Sequence, residues 1–358
     1  MPGKDLKVLE INTETTWRGG ERQTLRQIQG FLSASINIEA LCRSNSPLVQ
    51  KLTPLDIILH EVKGIFGALS FLIKHGKSYD ILHCQTARAQ SFAVLTKPFH
   101  KCPIVYTRRV DFKPESIFAR YKYSKTDKII AISEAIREVL RDFDVEDVEV
   151  IPSIAQSQEL NRKRIEEFSD QYELTGRKVI GTIAALVPHK DPLTMVNAIE
   201  ALSKLRGDFI FLHFGAGPLL KEIESSITQK GLDDYYKTMG YYDNVEDFFQ
   251  IFDCFVMSSQ EEGLGSSVLD AFLYKVPVVS TDAGGLKELV TDHGVVCPVK
   301  DYSCLAESID KILNEQGSDQ ELVDKAYDDA IRDYSSEFLS IQYIDIFNSL
   351  LKISPRQE

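Results

Sequence analysis

The stretch from Ser258 to Gly285 holds the residue types and spacing best suited to chemistry. Two carboxylates, Glu262 and Asp270, stand eight positions apart, the first in a loop with two glycines and the second in a helix predicted from about Ser266 to Tyr274. A helix N-terminus behind a glycine loop offers unpaired N–H groups and the positive end of the helix dipole, which suits a phosphate. The carboxylates can accept hydrogen bonds from hydroxyl groups. The stretch therefore predicts a site for a phosphorylated, polyhydroxylated ligand.

Two glycines follow the first predicted strand of the chain. That strand covers Leu6–Thr13, the polar loop after it ends at Gly19 and Gly20, and a helix continues to about Leu32. Ligands of doubly wound α/β domains bind at the carboxyl ends of strands, and glycines let the backbone approach a ligand closely. A plain tight turn is the alternative explanation.

His83 and Arg109 lie at the ends of two later strands, Tyr79–Cys84 and Pro103–Thr107. An arginine pair at a strand end, here Arg108 and Arg109, is costly to bury without an anionic partner, which favours contact with substrate. A single histidine in such a position suits a structural role as well as a functional one. Both alternatives stay open for His83.

Strands and helices alternate along the sequence, which predicts parallel sheets covered by helices. In the first half, strands are predicted at residues 6–13, 36–42, 56–60, 79–84, 103–107, 128–132 and 148–152, with helices ending near 32 and at 66–75, 115–124 and 134–141. In the second half, strands are predicted at 178–184, 209–214, 236–239, 254–257, 276–280 and 294–298, with helices at 192–205, 245–251, 266–274, 286–290, 303–315, 319–332 and 337–351 and one that follows the glycine turn at 215–218. The last helix should pack one face, because it has an apolar stripe of Phe338, Ile341, Ile344, Phe347 and Leu350.

Length and composition favour two globular domains. The chain has 358 residues, of which 43% are hydrophobic and 26% charged, and single domains rarely reach this length. The polar stretch at residues 156–177 marks a junction. We expect an N-terminal domain over residues 1–158, completed by a helix at 337–352, and a second domain over residues 159–336.

Other sequence features bear on the cellular compartment. The N-terminus lacks the apolar core of a signal peptide, and no stretch is long and apolar enough to span a bilayer. Six cysteines are scattered, with no Cys-x-x-Cys pair, which predicts reduced thiols in a cytosolic protein and argues against structural zinc.

The charge is unevenly distributed. The net charge of −12 argues against binding to nucleic acid. Residues 1–155 hold 22 Lys and Arg against 18 Asp and Glu, whereas the remainder holds 19 against 35, and residues 97–128 hold nine basic and three acidic residues. This polarity permits an anionic partner, such as a membrane surface or a phosphorylated acceptor, on the first domain. A solvated basic face is the alternative.

The order and spacing of the motifs resemble a GT-B glycosyltransferase of the family 4, retaining, group 1 type, over nearly the whole chain. The most specific motif is Glu-Gly-Leu-Gly at 262–265 with Asp270 beyond it, supported by the glycine turn at 215–218, Gly240 ahead of a helix, and Arg-Gly-Gly-Glu at 18–21. The resemblance implies an α/β fold with two Rossmann-like, doubly wound parallel-sheet domains facing across a cleft. The first would hold the acceptor and the second the nucleotide-sugar donor.

The resemblance also implies roles for individual residues. Glu262 would face the donor sugar, Asp270 would bind the ribose hydroxyls, and Lys190 would neutralise the diphosphate. With Glu262 and Lys190, we place Arg109 and His83 in the catalytic set. The other donor-binding residues would be Gly19, Gly20, Gly215, Gly240, Tyr241, Gly263, Leu264, Gly265, Ser266 and Ser267.

These residue types suit glycosyl transfer. The reaction builds negative charge on the departing diphosphate, and a fixed cation with helix N–H groups would stabilise that charge most in the transition state. No Asp-x-Asp metal motif appears near the expected donor site, so we expect no metal and no cofactor, with the nucleotide sugar as co-substrate.

The sequence departs from the family pattern at four places. The second carboxylate of the motif is usually Glu, and Asp270 is one methylene shorter. Ala185 replaces an Arg that usually precedes the Lys, and Arg108 and Arg109 stand where a His is common. Residues 153–156 are Ser-Ile-Ala-Gln in place of Asn-Gly-Val-Asp.

From the sequence we expect a retaining, metal-independent enzyme that transfers a hexose from a nucleotide sugar to a glycan or lipid-linked acceptor, in cell-envelope polysaccharide or lipopolysaccharide biosynthesis. We expect it to be cytoplasmic, with possible peripheral contact to the inner face of the membrane through its basic domain, and not to bind nucleic acid. The alternatives are a GT-B partner protein with weak or no catalysis, which Ala185 and the missing His would favour, and a nucleotide-sugar epimerase.

Overall fold

The computed structural model describes residues 6–314 and 320–353. They form two compact units, one taking in the chain up to Ile154 and from Asp333 onward, the other running from Ala155 to Arg332. The boundaries expected from the sequence, at residues 158 and 336, lie four residues further along the chain. Each unit is a parallel sheet with helices, which confirms the predicted α/β class with two Rossmann-like domains.

The first unit is built on a sheet of seven parallel strands. They are β1 (Lys7–Asn12), β2 (Asn37–Arg43), β3 (Ile58–Val62), β4 (Ile81–Cys84), β5 (Ile104–Arg108), β6 (Lys128–Ala131) and β7 (Val148–Val150). Their order is β3-β2-β1-β4-β5-β6-β7. The order reverses between β1 and β4, and ligands of such sheets bind at that point, beyond the carboxyl ends of the strands.

Helices connect these strands and cover the sheet. They are α1 (Gly19–Ser33), α2 (Pro47–Leu52), α3 (Ile65–His75), α4 (Ala87–His100), α5 (Ile117–Lys125) and α6 (Glu134–Arg141), with a 3-10 turn at Gly76–Ser78. Because helices cover both faces of a parallel sheet, its strands are rich in apolar residues, and Leu9, Ile11 and Leu82 are fully buried.

The second unit has six parallel strands in the order β10-β9-β8-β11-β12-β13. These strands are β8 (Lys178–Ile183), β9 (Phe209–Phe214), β10 (Tyr236–Gly240), β11 (Cys254–Met257), β12 (Val278–Thr281) and β13 (Val295–Cys297). Its helices are α7 (Arg162–Gln171), α8 (Pro192–Ser203), α9 (Leu220–Gln229), α10 (Ser266–Leu273), α11 (Gly285–Val290), α12 (Tyr302–Asn314) and α13 (Gln320–Asp333), with 3-10 turns at Pro188–Lys190 and Val245–Ile251. The ends predicted for α12 and α13 at Glu315 and Asp319 lie outside the described residues.

The final helix, α14 (Ser336–Ile353), packs on the first unit with a face that only partly matches the predicted one, since Ile344 and Phe347 are buried as expected. Its buried side chains include Leu339, Ser340, Tyr343, Ile344 and Phe347. The prediction was wrong for Phe338 and Ile341, which are 45% and 52% exposed. The apolar residues of this helix fit two overlapping faces, and the face that is buried includes the polar Ser340.

Gly30 of α1 explains why α14 buries the face that contains Ser340. A Cβ atom at Gly30 would lie 2.4 Å from the Oγ atoms of Ser336 and Ser340, so the two helices approach closely only because position 30 has no side chain. Phe31 then meets the rings of Tyr343 and Phe347 at centroid distances of 5.8 and 5.7 Å.

Three helices were not predicted: α2, α4 and α7. Helix α4 contains Pro98, which weakens a helical signal, and its apolar side chains are spread around the helix. Helix α7 lies in the polar stretch taken as a junction, and of its side chains only Ile165 and Phe168 are buried.

The cysteines correct another prediction. Cys297 and Cys304 form a disulfide, with their Cα atoms 5.8 Å apart, so the expectation of six reduced thiols is wrong for this pair. Cys42, Cys84, Cys102 and Cys254 are buried free thiols. In the part of the chain that the structure describes, no helix has the length and apolar character needed to cross a membrane.

Candidate active site

Lys190 and Glu262 form an ion pair in the second unit. Lys190 ends the 3-10 turn that follows β8, and Glu262 lies in the loop between β11 and α10. Their side chains are 18% and 14% exposed. The two residues that the motif singled out as cation and carboxylate are therefore brought together at the carboxyl end of the sheet.

Hydrogen bonds fix the two loops that carry this pair. The backbone N–H of Gln260 donates to the carbonyl of His189 at 2.8 Å, and Ser258 Oγ donates to the carbonyl of Asp191 at 2.9 Å. Asp191 also caps α8, because its carboxylate accepts from the N–H and hydroxyl of Thr194. The positions of Lys190 and Glu262 are thus set by backbone contacts on both sides.

Helix α10 begins directly after the Glu262 loop without a side-chain cap. Its N-cap is Gly265, whose φ of +95° is in the left-handed region and which has no side chain to cap the first turn. Gly285 of α11 lies against the same loop, where a Cβ would come 2.2 Å from the carbonyl oxygen of Gly263. The loop therefore leads into a helix N-terminus without an N-cap side chain, at the position where the sequence predicts a phosphate site.

The other residues of this stretch are less accessible. Asp270 is 1% exposed and Leu264 is 3% exposed, so a ribose hydroxyl could reach the Asp270 carboxylate only after a local rearrangement. Asp282 accepts a hydrogen bond from the N–H of Val299 at 2.9 Å, as a turn residue does.

Glycine turns at neighbouring strand ends complete this edge of the second unit. The N–H of Gly215 donates to the carbonyl of Gly240 at 2.8 Å, and both residues have positive φ, +148° and +71°. A Cβ at Gly215 would lie 1.9 Å from the carbonyl oxygen of Ala184. Gly215 therefore packs directly against the backbone of Ala184 and Ala185.

Tyr241 and Tyr242 follow Gly240 and differ in environment. Much of the Tyr241 side chain is exposed. Its hydroxyl donates to Asp243, and partial burial of the hydroxyl together with this hydrogen bond raises the pKa of Tyr241 to about 12. The ring of Tyr242 packs edge-on against Phe214 and Phe248 at 5.5 and 5.4 Å. Of the two rings, that of Tyr241 is the one exposed enough to stack on a planar group such as a nucleotide base.

In the first unit, Gly19 and Gly20 form the first turn of α1 rather than the predicted free loop. The backbone N–H of Arg18 donates to Glu21 at 2.9 Å and closes the start of the helix. Burial is the main reason that the pKa of Glu21 is raised. A Cβ at Gly20 would meet no atom within 4 Å, so no described neighbour requires glycine there.

His83 belongs to a buried hydrogen-bond network. Its Nδ1 lies 2.6 Å from Glu10 Oε1 and its Nε2 lies 2.8 Å from Thr107 Oγ1. His83 has no exposed surface, and its ring contacts Tyr343 and Phe347 of α14. These contacts favour the structural alternative for His83.

Arg109 joins the same network through Gln85. Its Nη2 donates to Gln85 Oε1 at 2.7 Å, and Gln85 Nε2 donates to Glu10 Oε2 at 2.8 Å. Burial, the largest influence, lowers the pKa of Arg109. No ion pair to a carboxylate is formed by Arg109 within the described ranges, so its guanidinium keeps capacity for an anion.

Glu10 is the network member that the sequence analysis missed. It is 1% exposed in the middle of the apolar strand β1. A charged residue inside a buried strand is uncommon without a partner, and that anomaly was the available signal.

Two parallel-sheet units in one chain are the architecture of the GT-B class of glycosyltransferase folds. Residues 164–329 match the family model of the glycosyl transferases group 1, and residues 17–154 match that of glycosyltransferase family 4. The chain belongs to this glycosyltransferase family, and the resemblance drawn from its motifs is confirmed.

Individual relatives are more distant. The chain is 25% identical over 242 residues to the poly(ribitol-phosphate) alpha-N-acetylglucosaminyltransferase of Staphylococcus aureus, covering 66% of this chain and 47% of that protein. It is 26% identical over 153 residues to the lipopolysaccharide core biosynthesis glycosyltransferase LpsE of Rhizobium meliloti, covering 42% of this chain and 45% of that protein. The chain thus spans less than half the length of these curated relatives.

The fold has a close match among solved structures. The Anabaena protein HepE, in complex with UDP and glucose, superposes with a TM-score of 0.85 at 18% identity, covering 96% of this chain and 100% of that chain. At this identity the likeness shows the fold, and it confirms the predicted GT-B architecture.

Proposed function

We propose that this chain is a retaining, metal-independent glycosyltransferase that moves a hexose from a nucleotide sugar to a glycan or lipid-linked acceptor. The observation that carries the proposal is the Lys190–Glu262 ion pair beside the N-terminus of α10, which no N-cap side chain covers. A cation and a helix N-terminus suit the diphosphate of the donor, which is also the leaving group, and the carboxylate suits the hydroxyls of the sugar.

In the proposed reaction the bond between the anomeric carbon and the diphosphate oxygen breaks, and a bond to the acceptor oxygen forms on the same face of the sugar. The proton of the acceptor hydroxyl passes to the departing diphosphate. Lys190 and the N–H groups at Ser266 and Ser267 stabilise the negative charge that develops there, and this stabilisation grows toward the transition state. Glu262 holds the sugar hydroxyls.

Donor binding replaces the ion pair with new partners. In the structure Lys190 is neutralised by Glu262. A bound donor would give Lys190 a phosphate and Glu262 a hydroxyl, so each group keeps a hydrogen-bond partner when the pair separates. In the empty site the two groups pair with each other, so neither the partly buried cation nor the partly buried carboxylate is left without a partner.

The relatives support the choice of donor and acceptor class. HepE binds UDP and glucose, which supports a uridine nucleotide sugar. The names of the Staphylococcus and Rhizobium relatives specify a polymer of ribitol phosphate and the lipopolysaccharide core. They support an acceptor in cell-envelope polysaccharide biosynthesis.

Nucleotide release from UDP-, GDP- and ADP-sugars tests the proposal. The parent chain should bind one of these donors in calorimetry and release its nucleotide slowly by hydrolysis. Glu262→Ala should lower that rate at least tenfold, whereas its exposed neighbour serves as the control in Glu261→Ala and should leave the rate unchanged. If the parent neither binds nor hydrolyses any donor, or if Glu262→Ala acts like the parent, glycosyl transfer at this site is refuted.

A surface of the first unit supports the peripheral membrane contact that we also propose. Helices α3, α4 and α5 lie side by side: Gln90 Nε2 donates to Thr126 Oγ1, and Lys122 Nζ donates to the carbonyl of Ala87. Their outer sides expose large apolar residues, which together form the α3–α5 surface: Ile65, Phe66, Ile73, Leu95, Phe99, Ile117, Phe118 and Tyr121.

The α3–α5 surface combines apolar and basic side chains. Phe66 and Ile117 are 87% and 88% exposed, and Lys122 and Lys125 lie over the rings of Phe118 and Tyr121. Exposed aromatic and aliphatic side chains among lysines suit the interface of an anionic bilayer. This contact would hold a cytoplasmic enzyme at the inner face of the membrane.

Sedimentation with phosphatidylglycerol vesicles at low and high salt tests the membrane contact. The parent should sediment at low salt and be released by high salt, because charge contributes to the binding. The double variant Phe66→Ser/Ile117→Ser should sediment less. The control Leu205→Ser, at an exposed apolar residue of the second unit, should not change. Absence of salt-sensitive sedimentation by the parent would contradict the contact.

A further inference from the structure

A cavity of about 160 Å³ lies in the first unit beyond the carboxyl ends of β1, β2 and β3. Its lining includes Thr13 after β1, Arg43 at the end of β2, Gly64 after β3, and Arg88 in the first turn of α4. A single water needs only about 10–15 Å³ of such space, so the cavity has room for a group as large as a phosphate. It shares no residue with the Lys190–Glu262 site.

Arg43 brings a positive charge to this cavity. It is half-buried, and no carboxylate in residues 6–314 or 320–353 forms an ion pair with its guanidinium. Gly64 makes room for it: a Cβ there would lie 2.7 Å from Arg43 Nη1, and Gly64 has a φ of +129°. A half-buried cation without a partner would gain free energy from an anionic ligand.

Two sets of hydrogen-bond donors line the same cavity. Thr13 is 5% exposed, and its Oγ1 is buried without a hydrogen-bond partner among the described atoms. The 11-residue helix α3 starts directly after Gly64, which has no side chain to cap its first turn, so N–H groups remain available there. A buried hydroxyl without a partner is costly, and a small rotation of the Thr13 side chain toward the cavity that it lines would let an anion accept a hydrogen bond from it.

Arg88 adds a second, adjustable cation. Its Nη1 lies 3.8 Å from Glu14 Oε2, and both side chains are partly in solvent. Such loose surface pairs contribute little stability, so Arg88 can turn toward a ligand at small cost. The ring of Phe92 forms an apolar part of the wall.

We propose that this cavity binds a phosphate or carboxylate group carried by the acceptor, between Arg43 and Arg88 and within reach of Thr13 Oγ1. The inference rests on the proposed glycosyl transfer and narrows its acceptor to a sugar or polyol that bears an anionic group. It assigns the anion to the first unit, whereas the donor diphosphate belongs to the second.

Calorimetry with glycerol 1-phosphate, and with glycerol as its neutral match, tests the site. The full chain is used in low-salt buffer with UDP present to fill the donor site. The parent should bind glycerol 1-phosphate and not glycerol. Arg43→Gln should weaken binding about tenfold or more, because it removes a charge-assisted contact.

Two further variants separate binding from folding. Thr13→Val should weaken glycerol 1-phosphate without lowering the thermal midpoint, since the hydroxyl has no partner to lose in the empty protein. Arg141→Gln, at an exposed arginine of α6, is the control and should bind as the parent does. If Arg43→Gln fails to fold, Arg88→Gln, at a more exposed residue, tests the anion site instead. We expect it to bind glycerol 1-phosphate at least threefold more weakly than the parent.

The outcomes distinguish this inference from the proposed function. Unchanged affinity of Arg43→Gln, or of Arg88→Gln where that variant decides, overturns the anion site. UDP-glucose binding and hydrolysis by the parent, with no Arg43-dependent binding of glycerol 1-phosphate, overturn the anion site alone. Arg43-dependent binding in a chain that neither binds nor hydrolyses nucleotide sugars overturns glycosyl transfer and the acceptor role, while the cavity keeps its affinity.

Discussion

Glu10 and His83 lie opposite each other in the neighbouring parallel strands β1 and β4, with 2.6 Å between Glu10 Oε1 and His83 Nδ1. Both side chains are buried, and Thr107 completes the contacts of the imidazole. The pair links the centre of the first sheet to α14 through the ring of Tyr343. This position gives His83 a structural role that can be measured separately from catalysis.

Replacement of His83 by Leu should destabilise the chain, because it removes one hydrogen-bond partner from the buried Glu10 carboxylate and one from the buried Thr107 hydroxyl. We expect a loss of about 2–4 kcal/mol in the free energy of unfolding, measured by urea denaturation. His75→Leu, at an exposed histidine of α3, is the control and should change stability by less than about 0.5 kcal/mol. A stable His83→Leu chain that has lost transfer would instead identify His83 as a catalytic residue.

Lys190→Met should reduce donor turnover while the fold persists. Removal of one cation from the diphosphate forfeits about 1.5–3 kcal/mol, which corresponds to a fall in kcat/KM of about 10-fold to 100-fold. The measurement is nucleotide release from the donor that the parent prefers. Lys221→Met, at an exposed lysine of α9, is the matched control. Equal kcat/KM in Lys190→Met and the parent would remove Lys190 from the proposed mechanism.

The loop that carries Glu262 was predictable from the sequence, and the His83 network was not. Strand β11, the loop with Glu262, and α10 follow one another along the chain, so local patterns sufficed to predict them. The contact between Glu10 and His83 depends on β1 lying beside β4, and strand order cannot be obtained from strand patterns alone. The face that α14 buries likewise depended on Gly30, a partner more than 300 residues away in sequence.

Glu39 should make stability depend on pH. Burial is the largest single influence and raises its pKa, but hydrogen bonds from His60, Lys7 and Tyr79 together outweigh it and lower the pKa from 4.5 to about 2. A lowered carboxyl pKa stabilises the folded chain above the unfolded value, and that stability is lost as the pH falls from about 4.5 through about 2.

Glu39→Gln tests this dependence. At pH 7 it should lower the free energy of unfolding by about 1–3 kcal/mol, and the difference from the parent should shrink as the pH falls toward 2. Denaturant titrations at a series of pH values give the comparison. Glu61→Gln, at an exposed carboxylate of the adjacent strand β3, should show no such trend. A difference that stays constant with pH would contradict the assigned hydrogen bonds.

Gly20→Ala separates a structural glycine from a functional one. No described atom lies within 4 Å of a Cβ at this position, and Gly20 is in the first turn of α1. Alanine is the better helix former, so the variant should be as stable as the parent or more stable by up to about 1 kcal/mol. If Gly20 instead leaves space for the donor, the added methyl group should lower kcat/KM between about tenfold and a hundredfold.

Thermal unfolding and nucleotide release are measured on the same preparation. The control is Gly207→Ala, at an exposed glycine of the second unit whose φ is not positive. A Gly20→Ala chain with parental stability and parental turnover would show that the substrate does not approach this turn of α1.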